Sequence, residues 1–381
     1  MTVPIHLVAC VASHGWGHLA QTIPMVAALR ARLPGLRTTV RTALPAVMVR
    51  ARFQAVGLPE PDVVFDDTEF GFEMHDALRV DDDASLERYR AQLAARDALL
   101  AGERDALRAL RADLVLANIG WVPIAAAASL GLPAFGACSL NWADVLQARH
   151  PERADVAAIA DWMREAYARA DALFVLEPGM PFDRFANRVP VPPIARRGTE
   201  RRGALRAALG VAPDTRVMQV AFGGMPLALD TASWRLPTDW IAVVLTADAV
   251  DGPSVRRGDS LGWSYPDLLA SCDLLVAKPG YGTFAEAGFA GRDTLAVPRD
   301  DWPETPYLSA WLARHARLEP VGLEAVRAGR FEAAIAAVRG RPVRAPATGD
   351  GAATLAEAIA ARLGVAPPAP GRETRPQDAA R

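Results

Sequence analysis

The segment Leu274-Leu275-Val276-Ala277-Lys278-Pro279-Gly280-Tyr281-Gly282-Thr283-Phe284-Ala285-Glu286-Ala287 constrains the fold of this chain more than any other stretch. It reads as strand, turn and helix. Leu274 to Ala277 is a short continuous apolar run, as in a strand covered on both faces of a parallel sheet, and Pro279-Gly280 stops it. Gly280 and Gly282 let the backbone turn tightly and approach a ligand closely, and Thr283 is placed to cap a helix beginning at Phe284. A helix N-terminus of this kind attracts phosphate, because its first N–H groups lack partners and the peptide dipoles add there. Glu286, in the first turn, is within reach of a hydroxyl beside that phosphate. Lys278 is the only lysine in a chain with 42 Lys and Arg. It reads as a compact ammonium beside the phosphate loop, or as a tie from that loop to a carboxylate; the plainer alternative is an accident of an arginine-biased composition.

The rest of the composition mainly excludes. At 381 residues, 51% of them apolar, the chain has enough material for two cores of ordinary size. A formal charge of −2 gives no electrostatic footprint for nucleic acid or an anionic membrane surface. Cys10, Cys138 and Cys272 are odd in number and far apart, so they suggest neither a disulfide framework nor a metal site, and each is expected as a small buried apolar residue. No basic segment followed by a long apolar one opens the sequence, and no run of about 18 uncharged apolar residues occurs. No transmembrane segment is therefore expected, and the cytoplasm is the default location.

Along the chain, strand patterns alternate with helical ones. Ile5 to Ala12 is a buried-strand pattern, followed by the turn Ser13-His14-Gly15-Trp16-Gly17-His18 and a helix from about Leu19 to Arg32. The turn lacks the third glycine of a dinucleotide fingerprint and is flanked by histidines. Strands are expected around Arg37 to Thr42, Asp62 to Phe65, Asp113 to Asn118, Pro133 to Ala137 and Ala172 to Leu176. Asp81-Asp82-Asp83 opens a long helical stretch to about Ala112, and an acidic first turn favoured by the helix dipole is a simpler reading than a metal site. Residues 177–199 show no sustained period and read as an interdomain connection. The second half repeats the pattern, with strands at Val217 to Phe222, Trp240 to Leu245, Leu274 to Ala277 and Thr294 to Val297, and a last amphipathic helix from Ala352 to Leu363. Such alternation calls for α/β architecture with two doubly wound, mostly parallel, Rossmann-like sheets facing a cleft. The tail 366–381 is rich in proline and charge and is expected to be disordered.

In open parallel sheets, ligands bind beyond the carboxyl ends of the strands. That rule gathers His18 and its glycine turn, Asn118, the loop Asn141-Trp142-Ala143-Asp144, Gly223-Gly224, the Gly280 to Thr283 turn and the loop Asp300 to Glu304. Here the sequence resembles the GT-B glycosyltransferases. Gly280-Tyr281-Gly282-Thr283-Phe284-Ala285-Glu286, then Gly291 and Val297-Pro298, is similar to the donor-site signature of the peptidoglycan N-acetylglucosaminyltransferase group, and Gly15-Trp16-Gly17-His18 to that group's first glycine loop. A closer resemblance is to the glycosyltransferase-like N-terminal region of L-arabinokinases and stand-alone bacterial homologues. It rests on His14-Gly15-Trp16-Gly17-His18, Leu140-Asn141-Trp142-Ala143-Asp144, Lys278-Pro279-Gly280-Tyr281-Gly282-Thr283, Arg299-Asp300 and Glu304-Thr305-Pro306-Tyr307-Leu308, and it covers about residues 4 to 340.

The resemblance implies an acceptor-side domain at 1–178, a linker at 179–199, a nucleotide-sugar domain at 200–345 and a C-terminal helix at 346–365. It implies a UDP-type nucleotide sugar as substrate, held by Gly223, Gly224, Lys278, Gly280, Tyr281, Gly282 and Thr283, with Glu286 on the ribose, Trp263 stacking on the base and Glu304 either reading sugar hydroxyls or capping the next helix. His14, Gly15, Gly17, Asn141 and Trp142 would line the acceptor side, the acceptor being an unidentified small or lipid-linked molecule. The implied reaction is metal-independent, cofactor-free and inverting, with His18 as general base, since a helix N-terminus keeps an imidazole neutral. Where many relatives orient that histidine with an aspartate, this chain has Asn118, with Asp144 a possible substitute. Within the same fold, a sugar-nucleotide 2-epimerase and a non-catalytic sugar-nucleotide-binding domain are alternatives, and a pyridoxal phosphorylase would need Lys278 as its Schiff base. His14 has the simpler role of bonding backbone within its turn, and His6 that of a satisfied core residue.

Overall fold

The computed structural model describes residues 4–76, 78–223, 227, 229–246 and 248–365. Gly224 and the tail 366–381, both singled out above, lie outside those residues. Seven strands build the first sheet: β1 (His6–Val11), β2 (Arg37–Thr42), β3 (Asp62–Phe65), β4 (Leu114–Asn118), β5 (Ala134–Cys138), β6 (Ala172–Leu176) and β7 (Arg188–Val191), in the spatial order β3-β2-β1-β4-β5-β6-β7. Six build the second: β8 (Arg216–Ala221), β9 (Trp240–Val244), β10 (Val255–Arg257), β11 (Leu274–Ala277), β12 (Thr294–Ala296) and β13 (Leu318–Pro320), in the order β10-β9-β8-β11-β12-β13. Every ladder is parallel. β1, β4, β5 and β11 are buried along their whole length, which is why they read as largely apolar runs, whereas β3, at an edge, is largely exposed. Strand order reverses between β1 and β4 and again between β8 and β11, and a crevice opens at each reversal.

Several boundaries differ from those the sequence suggests. β7 lies inside the expected linker, and the short edge strands β10 and β13 carry too little pattern to be foreseen. The stretch after Asp81 divides into helices Asp82–Ala94 and Arg96–Leu110, and Asp81 caps the first by accepting from the Ala84 amide at 3.0 Å. That bond accounts for the acidic run as a helix start. The helix after β11 begins at Tyr281, with Gly280 in extended backbone before it and no side-chain cap, so Thr283 lies inside the first turn instead of capping it. The first helix likewise starts at Trp16, placing His18 in its first turn. Gly15, at φ 153°, precedes it in a conformation that L side chains rarely adopt.

One apolar cluster runs from Leu7, Val26 and Phe174 in the first domain to Val217, Phe284 and Trp311 in the second, so the two cores are continuous across the junction. Two others lie behind the far faces of the sheets. The last helix, Gly351–Arg362, returns to the first domain and packs along Trp16–Arg32, with Glu357 bonded to Arg32 and the Arg362 guanidinium 5.9 Å from the Phe174 ring centroid. All three cysteines are free and buried. No helix among the described residues is long and apolar enough to cross a membrane.

Candidate functional site

The site is assembled at the two strand-order reversals. On the first, the helix Trp16–Arg32 carries His18 to the end of β4, where its Nδ1 lies 2.8 Å from Asn118 Oδ1. Both residues are buried, and burial holds the His18 pKa below its usual value while the Asn118 bond opposes that shift. Asn118 Nδ2 donates to Gln21 Oε1 at 2.9 Å, and Gln21 Nε2 donates to Ser139 Oγ at 3.3 Å. The expected histidine partner is thus in place. Asp144 is not an alternative to it: its carboxylate accepts from Arg164 at 3.1 Å and from Asn141 Nδ2 at 2.9 Å, and Asn141 in turn caps the helix Trp142–Arg149. The loop serves its own helix and Arg164, which corrects the substitute role suggested by chain position.

His14 sits 6.4 Å from His18, ring to ring, with Trp142 5.4 Å from each. Its Nδ1 faces the backbone of Phe72, 3.0 Å from the carbonyl oxygen and 3.2 Å from the amide nitrogen, so it bonds backbone on another loop and not within its own turn. Burial, with neighbouring cationic and imidazole groups, pushes the His14 pKa down to about 3, which keeps it neutral. Glycines hold this geometry. A Cβ on Gly71, at φ +74°, would meet His14 and Trp142 at under 3 Å, whereas at Gly15 and Gly17 it would meet nothing within 4 Å.

On the second reversal, Lys278 follows β11 and Gly223 follows β8, and a Cβ added to Gly223 would stand 3.6 Å from Lys278 Cε. Burial and the Arg299 guanidinium lower the Lys278 amine to about 8, and Asp76 partly opposes them. The helix Tyr281–Ala290 begins uncapped, and a Cβ at Gly280 or Gly282 would meet open space. Those features suit an anion. Tyr281 does not join them: its hydroxyl accepts from the Ile194 amide at 2.8 Å and donates to the Glu177 carbonyl at 3.2 Å, pinning the helix to the interdomain connection. Glu286 lines a cavity of about 240 Å³ together with Arg196, Pro266 and Phe289. Burial pushes its carboxyl up to about 8, against the pull of the Arg196 guanidinium and backbone N–H. Trp263 has the Arg201 guanidinium 4.4 Å from its ring centroid, so one face is covered.

The two halves are locked by exchanged loops. Trp302, after β12, enters the apolar cluster of the first domain and stacks on His14 at 5.2 Å with the rings 6° from parallel. Arg299 Nε donates to the Leu78 carbonyl at 3.3 Å, and Leu78 packs against the second domain's core. Arg149 bridges Asp82 at 2.7 Å and Asp301 at 3.2 Å. Glu304 is 4% exposed and accepts from Trp302 Nε1 at 3.3 Å; it precedes the helix Thr305–His315 without capping it. Sequence reasoning missed Gln21, Phe72, Ser139, Arg299 and Trp302 as parts of the site. Only Arg299 and Trp302 carried a signal, their place on a strand-end loop. Among the described residues, no group of three or more His, Cys, Asp or Glu is arranged to hold a metal.

Two facing Rossmann-like sheets, with a glycine loop at each strand reversal and a last helix crossing back, constitute the GT-B fold of glycosyltransferases. The calicheamicin glycosyltransferase CalG4 superposes at a TM-score of 0.63 with 19% identity, over 96% of this chain and 100% of that one. Arabidopsis thaliana UGT89C1, solved with UDP, does so at 0.59 with 14% identity, over 94% and 99%. No family model matches the sequence. Within that fold class, the chain is similar to the L-arabinokinase of Arabidopsis thaliana, 30% identical over 305 residues that are 78% of this chain. They amount to 28% of that protein, so the chain spans little more than a quarter of its relative's length.

Proposed function

We propose that the chain binds a nucleotide-activated sugar, of UDP type, in the cleft between its domains and transfers the sugar to an acceptor hydroxyl with inversion and without a metal. The observation that carries this reading is the meeting of the two reversals: His14, 6.4 Å from His18, lies in the field of Lys278 and Arg299, which brings a candidate base near an anion site. A UDP-bound neighbour of the same fold supports the choice of nucleotide. The open N–H groups at Tyr281–Ala290 and the Lys278 ammonium would stabilise the departing diphosphate as charge develops on it. His18 would take the acceptor proton on the ring nitrogen that does not face Asn118. The cavity at Glu286 and Arg196 suits the nucleoside.

Binding without transfer is favoured by one observation, the packing of His14 under Trp302 beside a His18 that is only 7% exposed. A calorimetric screen of nucleoside diphosphates and nucleotide sugars on the wild type and Glu286→Ala tests the donor site. His18→Ala then separates the readings, because a transferase loses turnover while retaining donor affinity. Failure of every nucleotide to bind folded protein removes both.

A further inference from the structure

Four arginines are buried among the described residues, and three of them have strong partners. Arg41 lies 2.8 Å from Asp66 and bonds Glu103, Arg206 donates to Asp273 at 2.7 Å, and Arg292 donates to the Leu269 and Ala270 carbonyls at 3.1 and 2.8 Å, at the end of the helix Tyr265–Ser271. Arg299, 6% exposed, differs. Among the described residues its Nε donates to the Leu78 carbonyl at 3.3 Å, its Nη2 lies 3.9 Å from Met74 Sδ, and its guanidinium rests 4.2 Å from the Trp302 ring centroid. The carboxylates around it are engaged elsewhere. Asp301, whose Oδ1 is 4.0 Å from Nε, is held by Arg149 at 3.2 Å; Asp76 bonds Arg79 at 2.8 Å; Glu304 takes the Trp302 indole N–H at 3.3 Å. A buried charge with partners this weak is unfavourable, and a guanidinium fork is shaped for two parallel bonds to a carboxylate or phosphate. Burial lowers the Arg299 pKa only to about 10, so the group is cationic at neutral pH.

The place of Arg299 in the fold says which anion. It stands on the loop after β12, and β12 pairs with β11, whose own end leads through Lys278 into the uncapped start of Tyr281–Ala290. The Val297 amide donates to the Ala277 carbonyl at 2.9 Å, tying the two strand ends together. Neighbouring strands lie about 4.8 Å apart, roughly one sugar ring, so a sugar attached to a diphosphate at Tyr281–Ala290 reaches the Arg299 loop. We propose that Arg299 is a specificity-determining residue for the donor, and that the sugar on the nucleotide is a uronic acid whose carboxylate takes the Arg299 fork. That carboxylate replaces the Leu78 carbonyl and the Met74 sulfur as partner, Trp302 keeps the guanidinium flat, and Lys278 serves the diphosphate. A neutral hexose offers the same fork only hydroxyls. The inference rests on the nucleotide-sugar reading above and adds to it the class of sugar.

Calorimetry with UDP, UDP-glucose, UDP-glucuronate, UDP-galactose and UDP-galacturonate tests this on the wild type, Arg299→Gln and Arg299→Lys. The wild type is expected to bind one of the two uronates at least about tenfold more tightly than the matching neutral sugar, as a charge-assisted pair of bonds requires. Arg299→Gln should lose that preference while its affinity for UDP changes far less than its affinity for the uronate. Arg299→Lys should keep only part of it, because a point charge replaces the fork. Equal affinity of the wild type for acidic and neutral sugars overturns the proposal. So does an Arg299→Gln variant whose affinity for UDP falls as much as for the uronate, since Arg299 then serves the diphosphate. The bond to Leu78 crosses between the domains, and should both variants fail to fold, the wild-type comparison decides alone. UDP binding with no preference among sugars defeats this inference and leaves the function above standing, whereas failure of every nucleotide to bind defeats both.

Discussion

Asn118 gives His18 an acceptor without a charge, and Asn118→Asp supplies the charge at a stated cost. A carboxylate at 2.8 Å favours imidazolium, so the His18 pKa should rise, as read by NMR titration. The variant also leaves Gln21 Oε1 without its donor in a buried site, and chemical denaturation should show a loss of about 1–3 kcal/mol. Lys278 makes a second test. Its amine, lowered to about 8, is cationic below that pH and neutral above it, so affinity for a nucleoside diphosphate should fall as pH rises through about 8. Lys278→Met should remove that limb and weaken binding below it. Glu286 titrates the other way. With its carboxyl raised from 4.5 to about 8, the folded state holds more protons than the unfolded chain in that window, so stability is lost as pH rises from 4.5 to about 8. Thermal midpoints across that range should converge on a flatter line in Glu286→Gln.

The elements that carry the site were legible in proportion to their periodicity. β1, β4 and β11 are buried on both faces and have unbroken apolar sequences, and the glycine turns after β1 and β11 mark where a backbone must come close. From these, His18, Asn118, Lys278 and the Gly280 loop could be placed before any coordinates. The exchanged loops could not, because Phe72 and Trp302 have no regular period around them and meet only through tertiary packing. Tyr281 looked like a ligand residue for the opposite reason: its place in a motif says nothing of which way its ring turns. Trp302→Ala tests the interlock. It removes a side chain that is 3% exposed, and denaturation should report a loss of about 3–5 kcal/mol. If the loop also holds the domains together, small-angle scattering should show the variant more extended than the wild type.

Over the whole molecule, the alternation of strand and helix fixed two parallel sheets, whereas the path between them was illegible. β7 is only four residues long, and its sequence, Arg188-Val189-Pro190-Val191, contains a proline at the sheet edge. The continuous apolar cluster across the junction predicts that both domains unfold together, in one denaturation transition seen alike by tryptophan fluorescence and circular dichroism. A chain ending at residue 345 lacks the helix that covers Trp16–Arg32. It should lose that shared transition, and its first domain should expose the apolar face that Leu355 and Ile359 cover. The return of Gly351–Arg362 has a mechanical meaning as well. β1 and that helix belong to one body, so the second domain is topologically an insertion within the first. A pull applied between the two ends of the described chain would load the first domain alone. Whether the second moves is then set by the exchanged loops and the shared apolar cluster, and a tether at one end would neither strain nor relieve them.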